Sequence, residues 1–129
     1  MRLLLDTNIV VPLTRRETHG LNAKINLLLA SRANDLFVSA ASLWEIAIKT
    51  RLGKLDPGTS LADIPAYLFA LEIETIMVNS HHALEELWEV PDTRDPFDLL
   101  LIAQCQVENL FLVTADRALN AHPLAWRER

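Results

Sequence analysis

Four short apolar runs, at residues 2–5, 36–38, 75–78 and 110–113, punctuate the chain at intervals filled by helix-like segments, and this spacing constrains the fold most. Runs so short, bounded by polar residues, fit buried strands. Between them, apolar residues recur at helical spacing: Ile25, Leu28 and Leu29 within 22–31, and Leu43, Ile46, Ala47 and Leu52 within 42–52. Strands alternating with helices imply a parallel sheet covered on both faces. With a weaker run near 125–127, the expectation is an α/β three-layer sandwich whose central, mainly parallel sheet has four to five strands.

Local signals divide the intervals. Ser39, Ser42 and Glu45 are cap candidates for the second helix, and Gly53 supplies its stop. Asp56-Pro57-Gly58-Thr59-Ser60 reads as a turn between helices, not as a domain linker. A third helix is expected over 61–72, broken near its start by Pro65, and a fourth over 81–88. Asp95 then caps a fifth, with Pro96 at its first helical position. The 129 residues, 50% hydrophobic and 22% charged, suit one compact domain over 1–129.

The formal net charge of −5 supplies no bulk field toward nucleic acid or acidic lipid. A local basic rim can still bind phosphate beside a carboxylate cluster. The single Cys105 lies in an apolar stretch, where a buried structural thiol is expected, and a disulfide framework is absent. Asp6 interrupts the first apolar run too early for a signal sequence, and no run approaches the ~18 apolar residues of a membrane span. A cytoplasmic protein is expected.

The chemistry rests on acids in apolar company. Asp6 directly follows Leu3-Leu4-Leu5, and Asp116 stands in a similar place after the run that ends at Val113. In a parallel sheet both strand ends point to one edge, the edge at which open α/β sheets bind ligands. Two readings stand for Asp6, a turn cap or a site residue. Two stand for Glu45 as well: a solvated stripe with Lys49 as its i+4 partner, or a pocket. Asp95 is well explained as an N-cap, whereas Asp98, three residues on, has no such duty. Asp116 is a cap candidate for a short helix starting at Arg117.

If Glu45 and Asp98 come alongside the two strand ends, the crowded carboxylates need a cation. Oxygen donors without a Cys or His cluster suit Mg²⁺ or Mn²⁺ better than zinc. Such a site serves phosphoryl transfer. The absence of a Gly-rich phosphate loop disfavours nucleotide triphosphate hydrolysis. The tandem His81-His82 reads as an exposed helix start.

In order, Leu-Leu-Leu-Asp6-Thr-Asn, Ser42-Leu-Trp-Glu45-Ile-Ala-Ile-Lys49, Asp95-Pro-Phe-Asp98-Leu-Leu-Leu-Ile-Ala-Gln and Leu-Val-Thr114-Ala-Asp116 resemble the PIN-domain family, and more narrowly the VapC-type toxins of bacterial toxin–antitoxin pairs. The likeness spans nearly the whole chain. It implies a PIN-like fold and an Mg²⁺- or Mn²⁺-dependent endoribonuclease, held inactive by a cognate antitoxin and commonly a homodimer. By position, Asp6, Glu45 and Asp98 match the principal metal-site acids and Asp116 the more variable fourth. Asp95 is a further possible ligand, and Thr114 matches a hydroxyl position beside the site. The chain departs from close relatives at Asn8, Thr93 and Leu99, where His, His and a basic residue are frequent.

Phosphate contacts are expected among Arg15, Arg16, Lys49, Arg51, Lys54, Arg94 and Arg117. Lys49, one helical turn beyond Glu45, is the foremost. Trp44 and Trp88 are candidates for base stacking. The competing reading is a catalytically degenerate PIN-fold module that acts by binding protein or nucleic acid. A phosphoaspartyl protein is a third, disfavoured because Asn8 stands where a dehalogenase-type phosphatase has its second Asp.

Overall fold

The computed structural model describes residues 1–127. Its elements in chain order are β1 (Arg2–Leu5), α1 (Thr7–Thr14), α2 (Ala23–Ala30), β2 (Asp35–Ser39), α3 (Ala40–Arg51), α4 (Ile64–Ala70), β3 (Ile73–Ile76), α5 (Ser80–Leu84), α6 (Pro96–Glu108), β4 (Phe111–Val113) and α7 (Arg117–Asn120). The strands form one sheet in the order β3-β2-β1-β4, with every pairing parallel. The chain builds outward from β1 through β2 to β3, then returns to place β4 on the other side of β1. Strand order therefore reverses between β1 and β4, the point where such sheets bind ligands.

The three layers follow from strand alternation. Leu3, Leu5, Val38, Ile73 and Val113 face one way and pack with Ile9 and Val10 of α1, Ile25 and Leu28 of α2, Ile46 of α3 and Leu68 of α4. Leu4, Phe37 and Leu112 face the other way and meet Leu101, Ile102 and Cys105 of α6 and Leu119 of α7. Leu3, Leu4 and Leu5 are all fully buried. Each contributes about 2 kcal/mol by burial. Cys105 is enclosed in the second cluster as expected, and its burial pushes the thiol pKa up.

One helix lies where the sequence reading assigns no element, and three expectations are refined. The segment after Asp6 is helical in α1 despite β-branched Ile9, Val10 and Val11 and an internal Pro12; Asp6 caps it, and burial of Ile9 and Val10 outweighs weak helix propensity. β3 begins at Ile73, two residues before the expected start, because Glu72 takes φ 61 and closes the preceding helix at once. It ends at Ile76, opposite Ser39, where β2 turns into α3 and offers nothing further to pair. α5 stops at Leu84, and Glu85 already has extended backbone, so Trp88 lies beyond the helix. The run near 125–127 gives one parallel bridge, Leu112 with Ala125, and not a fifth strand.

The histidine pair is corrected too. His82 is buried, accepts from the Asn79 N–H through Nδ1 at 3.2 Å, and lies 2.8 Å from Glu108 Oε1 through Nε2. It completes a capping box with Asn79 and pins α5 to α6. His81 is exposed. Among the described residues, no helix is long and apolar enough to cross a membrane.

Candidate active site

The acids arrive at the cleft through the local rules that start helices. Asp6 leaves β1 and becomes the N-cap of α1, its Oδ1 accepting from the Thr7 N–H at 2.7 Å. Ser39, the last residue of β2, caps α3 by accepting from the Ala41 N–H at 3.0 Å, so strand passes straight into helix and carries Glu45 over the sheet edge. Gly53, at φ 71, lets the Lys54 N–H reach back to the Lys49 carbonyl at 2.9 Å and ends α3 just beyond Lys49. Asp95 caps α6 through the Phe97 N–H at 2.9 Å, with Pro96 in the first turn. Asp116 caps α7 through the Ala118 N–H at 2.9 Å.

Asp6, Glu45, Asp95, Asp98 and Asp116 all line one cleft of about 450 Å³, together with Lys49. This cleft lies off the carboxyl ends of β1 and β4, at the reversal of strand order. The two readings of Asp6 do not exclude each other, since it caps a helix and also lines the cleft. The same holds for Asp95 and Asp116. Glu45 is buried, which removes the solvated-stripe reading, yet it also keeps Lys49 as its i+4 partner.

Two threonine hydroxyls hold the two buried acids. Thr114 donates to Asp6 Oδ2 at 2.7 Å while accepting from the Asp116 N–H at 3.0 Å and, at 3.4 Å, from the Asn8 amide. Thr7 donates to Glu45 Oε1 at 2.7 Å, and Lys49 Nζ donates to Oε2 of the same carboxylate at 2.7 Å. A third hydroxyl, Thr93, donates to Asp98 Oδ2 at 3.0 Å. Thr93, noted above as a departure from the family pattern, serves as a neutral donor to the acid. The roles of Thr7 and Thr93 toward Glu45 and Asp98 escaped the sequence reading; a hydroxyl beside each acidic motif was the one signal available.

Burial raises the Asp6 pKa, with Glu45 and Asp116 adding to the effect and the Thr114 and Thr7 hydrogen bonds opposing it. Asp98 is pushed up to about 6, first by desolvation and then by Asp95, Asp6 and Asp116, against the Thr93 bond. The Lys49 pKa is raised, mainly by its bond to Glu45. These shifts describe negative charge crowded into a partly dry space, where added positive charge is favourable. All donors are oxygens, the chemistry of a hard divalent cation. The donor set fits such an ion. As the side chains stand, no three His, Cys, Asp or Glu among the described residues are gathered closely enough to hold one.

Of the other candidate cations, Arg15 is tied to Glu17 at 3.0 Å and to the Asp56 carbonyl at 2.9 Å, and Arg16 stacks on Tyr67 at 4.7 Å. Arg51, Lys54, Arg94 and Arg117 lie outside the cleft lining. Trp44 is 63% exposed and sits edge-on to Phe97 at 5.8 Å, placing an aromatic pair on residues adjacent to Glu45 and Asp98. Trp88 is exposed.

A parallel sheet whose switch point opens onto a cleft lined by five carboxylates, with no phosphate-binding glycine loop, defines a class of α/β domain built around acids at strand and helix ends. The sequence profile of the PIN domain matches residues 3–123, and the chain belongs to that family. Among solved structures it is similar to VapBC2 from Rickettsia felis bound to a DNA fragment from their promoter, at 22% identity over 97% of this chain and 96% of that one, with a TM-score of 0.61. That likeness establishes the PIN-like three-layer fold. No curated protein matches in sequence.

Proposed function

We propose that this protein is a Mg²⁺- or Mn²⁺-dependent endoribonuclease and the toxin of a toxin–antitoxin pair. The observation that carries the reading is the convergence of five carboxylates from β1, α3, α6 and the turn after β4 on one cleft. Asp6, Glu45, Asp98 and Asp116 would hold the ion, with Asp95 chiefly a helix cap. When bound, a divalent ion lowers the pKa of water and stabilises charge on an in-line displacement at phosphorus.

The chain's own residues do the positioning. Thr114 and Thr7 orient the carboxylates of Asp6 and Glu45 by donating to one oxygen of each. Lys49 supplies a cationic N–H donor for a phosphate oxygen. The rim formed by Trp44 and Phe97 offers aromatic faces to an unpaired base. Catalysis needs no protein nucleophile, and Cys105, the most nucleophilic side-chain type present, is sealed in the core.

The partner assignment draws on fold likeness to a toxin–antitoxin complex. A cognate antitoxin is the proposed protein partner, a homodimer the proposed assembly, and the cytoplasm the proposed compartment. The rival reading, a PIN-fold module that binds without cutting, draws on the commitment of Glu45 to Thr7 and Lys49. One assay separates them. Purified protein is incubated with structured RNA, with Mg²⁺, Mn²⁺ or chelator, beside Asp6→Asn and Asp98→Asn. Cleavage that needs metal and is lost in both variants is expected; equal cleavage by wild type and variants overturns the assignment. Expression without a partner should slow growth, and Asp6→Asn should relieve it.

A further inference from the structure

Glu45 and Lys49 are not an ordinary surface pair at i, i+4. The Glu45 side chain is 9% exposed and that of Lys49 45% exposed, so the lysine reaches from solvent toward a buried acid. Glu45 is held by Thr7 through Oε1, and Lys49 takes the remaining oxygen, Oε2, at 2.7 Å. The ammonium also feels the carboxylates of Asp95 and Asp98 across the cleft. A lysine head group is a compact charge with three N–H donors on a flexible four-carbon stem, suited to filling a gap among acids and to leaving it again.

We propose that Lys49 is the resident counter-cation of the cleft: its ammonium holds the position on Glu45 that a divalent cation takes, and the ion binds only as Lys49 swings outward. This inference rests on the metal-site reading above. It gives Lys49 two stations. In the metal-free protein it balances buried negative charge; in the loaded protein its head group stands released at the cleft mouth, where substrate phosphate passes. Ion affinity is then set by competition with a side chain as well as by the acids.

The test is calorimetric titration of Mn²⁺ into metal-free, full-length protein, with free Mn²⁺ followed in parallel by its paramagnetic resonance signal. Breaking a hydrogen-bonded charge pair before the ion can bind weakens affinity by about tenfold, so K49M should bind Mn²⁺ about that much more tightly than wild type. K49R keeps the charge and grips a carboxylate with two N–H groups, so it should bind no more tightly than wild type. R51M removes a positive charge from an exposed residue of the same helix outside the cleft lining; it should change affinity less than about twofold, since exposed charge is screened.

Mn²⁺ affinity in K49M equal to or below that of wild type overturns the proposal while leaving the metal site intact. Equal tightening in R51M and K49M overturns it as well, because general charge and not the place on Glu45 would then govern binding. Absence of Mn²⁺ binding in every protein, wild type included, removes the metal-site reading and this inference together. Should K49M fold poorly, K49Q carries the same expectation.

Discussion

Replacing Thr114 by Val removes one hydroxyl and leaves the shape of the side chain almost unchanged, which makes it the cleanest probe of how the cleft is held. In the native protein that hydroxyl donates to Asp6 Oδ2 at 2.7 Å and accepts from the Asp116 N–H at 3.0 Å. Asp6 is 4% exposed, so solvent offers little to replace the lost donor; Asp116 is half-buried, and its amide regains part of its loss from solvent. A hydrogen bond to a buried charged group contributes about 1.5–3 kcal/mol, and valine leaves no cavity, so the expected destabilisation is about 2 kcal/mol. In urea this moves the unfolding midpoint down by roughly 1 M.

The pH dependence supplies the sharper check. Burial holds the Asp6 pKa above its ordinary value of 3.8, and the Thr114 bond is the largest influence pulling it back. A carboxylate with a raised folded pKa binds more protons when folded than when unfolded, so its burden on stability appears as pH rises from the unfolded value through the folded one. Thr114→Val raises the folded pKa further. The gap between wild type and variant should therefore be largest at pH 7–8 and shrink as pH falls to 4 and below, as Asp6 takes up its proton. Thr114→Ser should restore most of the loss. A midpoint unchanged at pH 7.5, or a gap of the same size at pH 4 and pH 8, would refute the argument that the hydroxyl acts on the ionised acid.

Three further outcomes are expected. Asp98, with its pKa near 6, should make Asp98→Asn more stable than wild type above pH 6 by about 1 kcal/mol after allowance for solvent screening; thermal melts across pH should show the advantage fading toward pH 4, and a constant difference contradicts the assignment. Asp95→Asn keeps a side-chain oxygen for the Phe97 N–H and should retain RNA cleavage, while Asp95→Ala should lose about 1 kcal/mol of stability; loss of cleavage in Asp95→Asn at full stability would make Asp95 a ligand. Cys105, fully buried, should resist a thiol reagent until urea unfolds the protein, and rapid labelling of the native chain would contradict the core placement.

What could be read from the chain divides along the range of the interactions. Buried strands announce themselves because Leu3-Leu4-Leu5 and Phe111-Leu112-Val113 need cover on both faces, and Asp95-Pro96 marks a helix start through local backbone chemistry. α1 was illegible because propensity argues against Ile-Val-Val-Pro as a helix; the reason it forms lies in packing under the sheet, which no local window contains. The offset of β3 has a mixed origin, since the backbone of Glu72 sets its start and its partner β2 sets its end. His82 looked like half of an exposed pair, and only the return of α6 supplies the Glu108 that makes its burial tolerable. At the candidate site, the acids stood out as types and contexts, while the hydroxyls of Thr7 and Thr93 did not, because threonine beside a turn has many commonplace uses.

Two of the carboxylates proposed to hold the ion, Asp6 and Asp116, each commit an oxygen to the backbone N–H that opens a helix. This double duty narrows the paths along which such a protein drifts. Asparagine keeps the helix start and gives up the charge; glutamate keeps the charge, but its longer arm fits the cap poorly; alanine forfeits both. Aspartate alone among the twenty residues meets both demands. A lineage that abandons the chemistry would therefore be expected to accumulate Asn, Ser or Thr at these positions before anything else, retaining the architecture as a fossil of the cleft it once served.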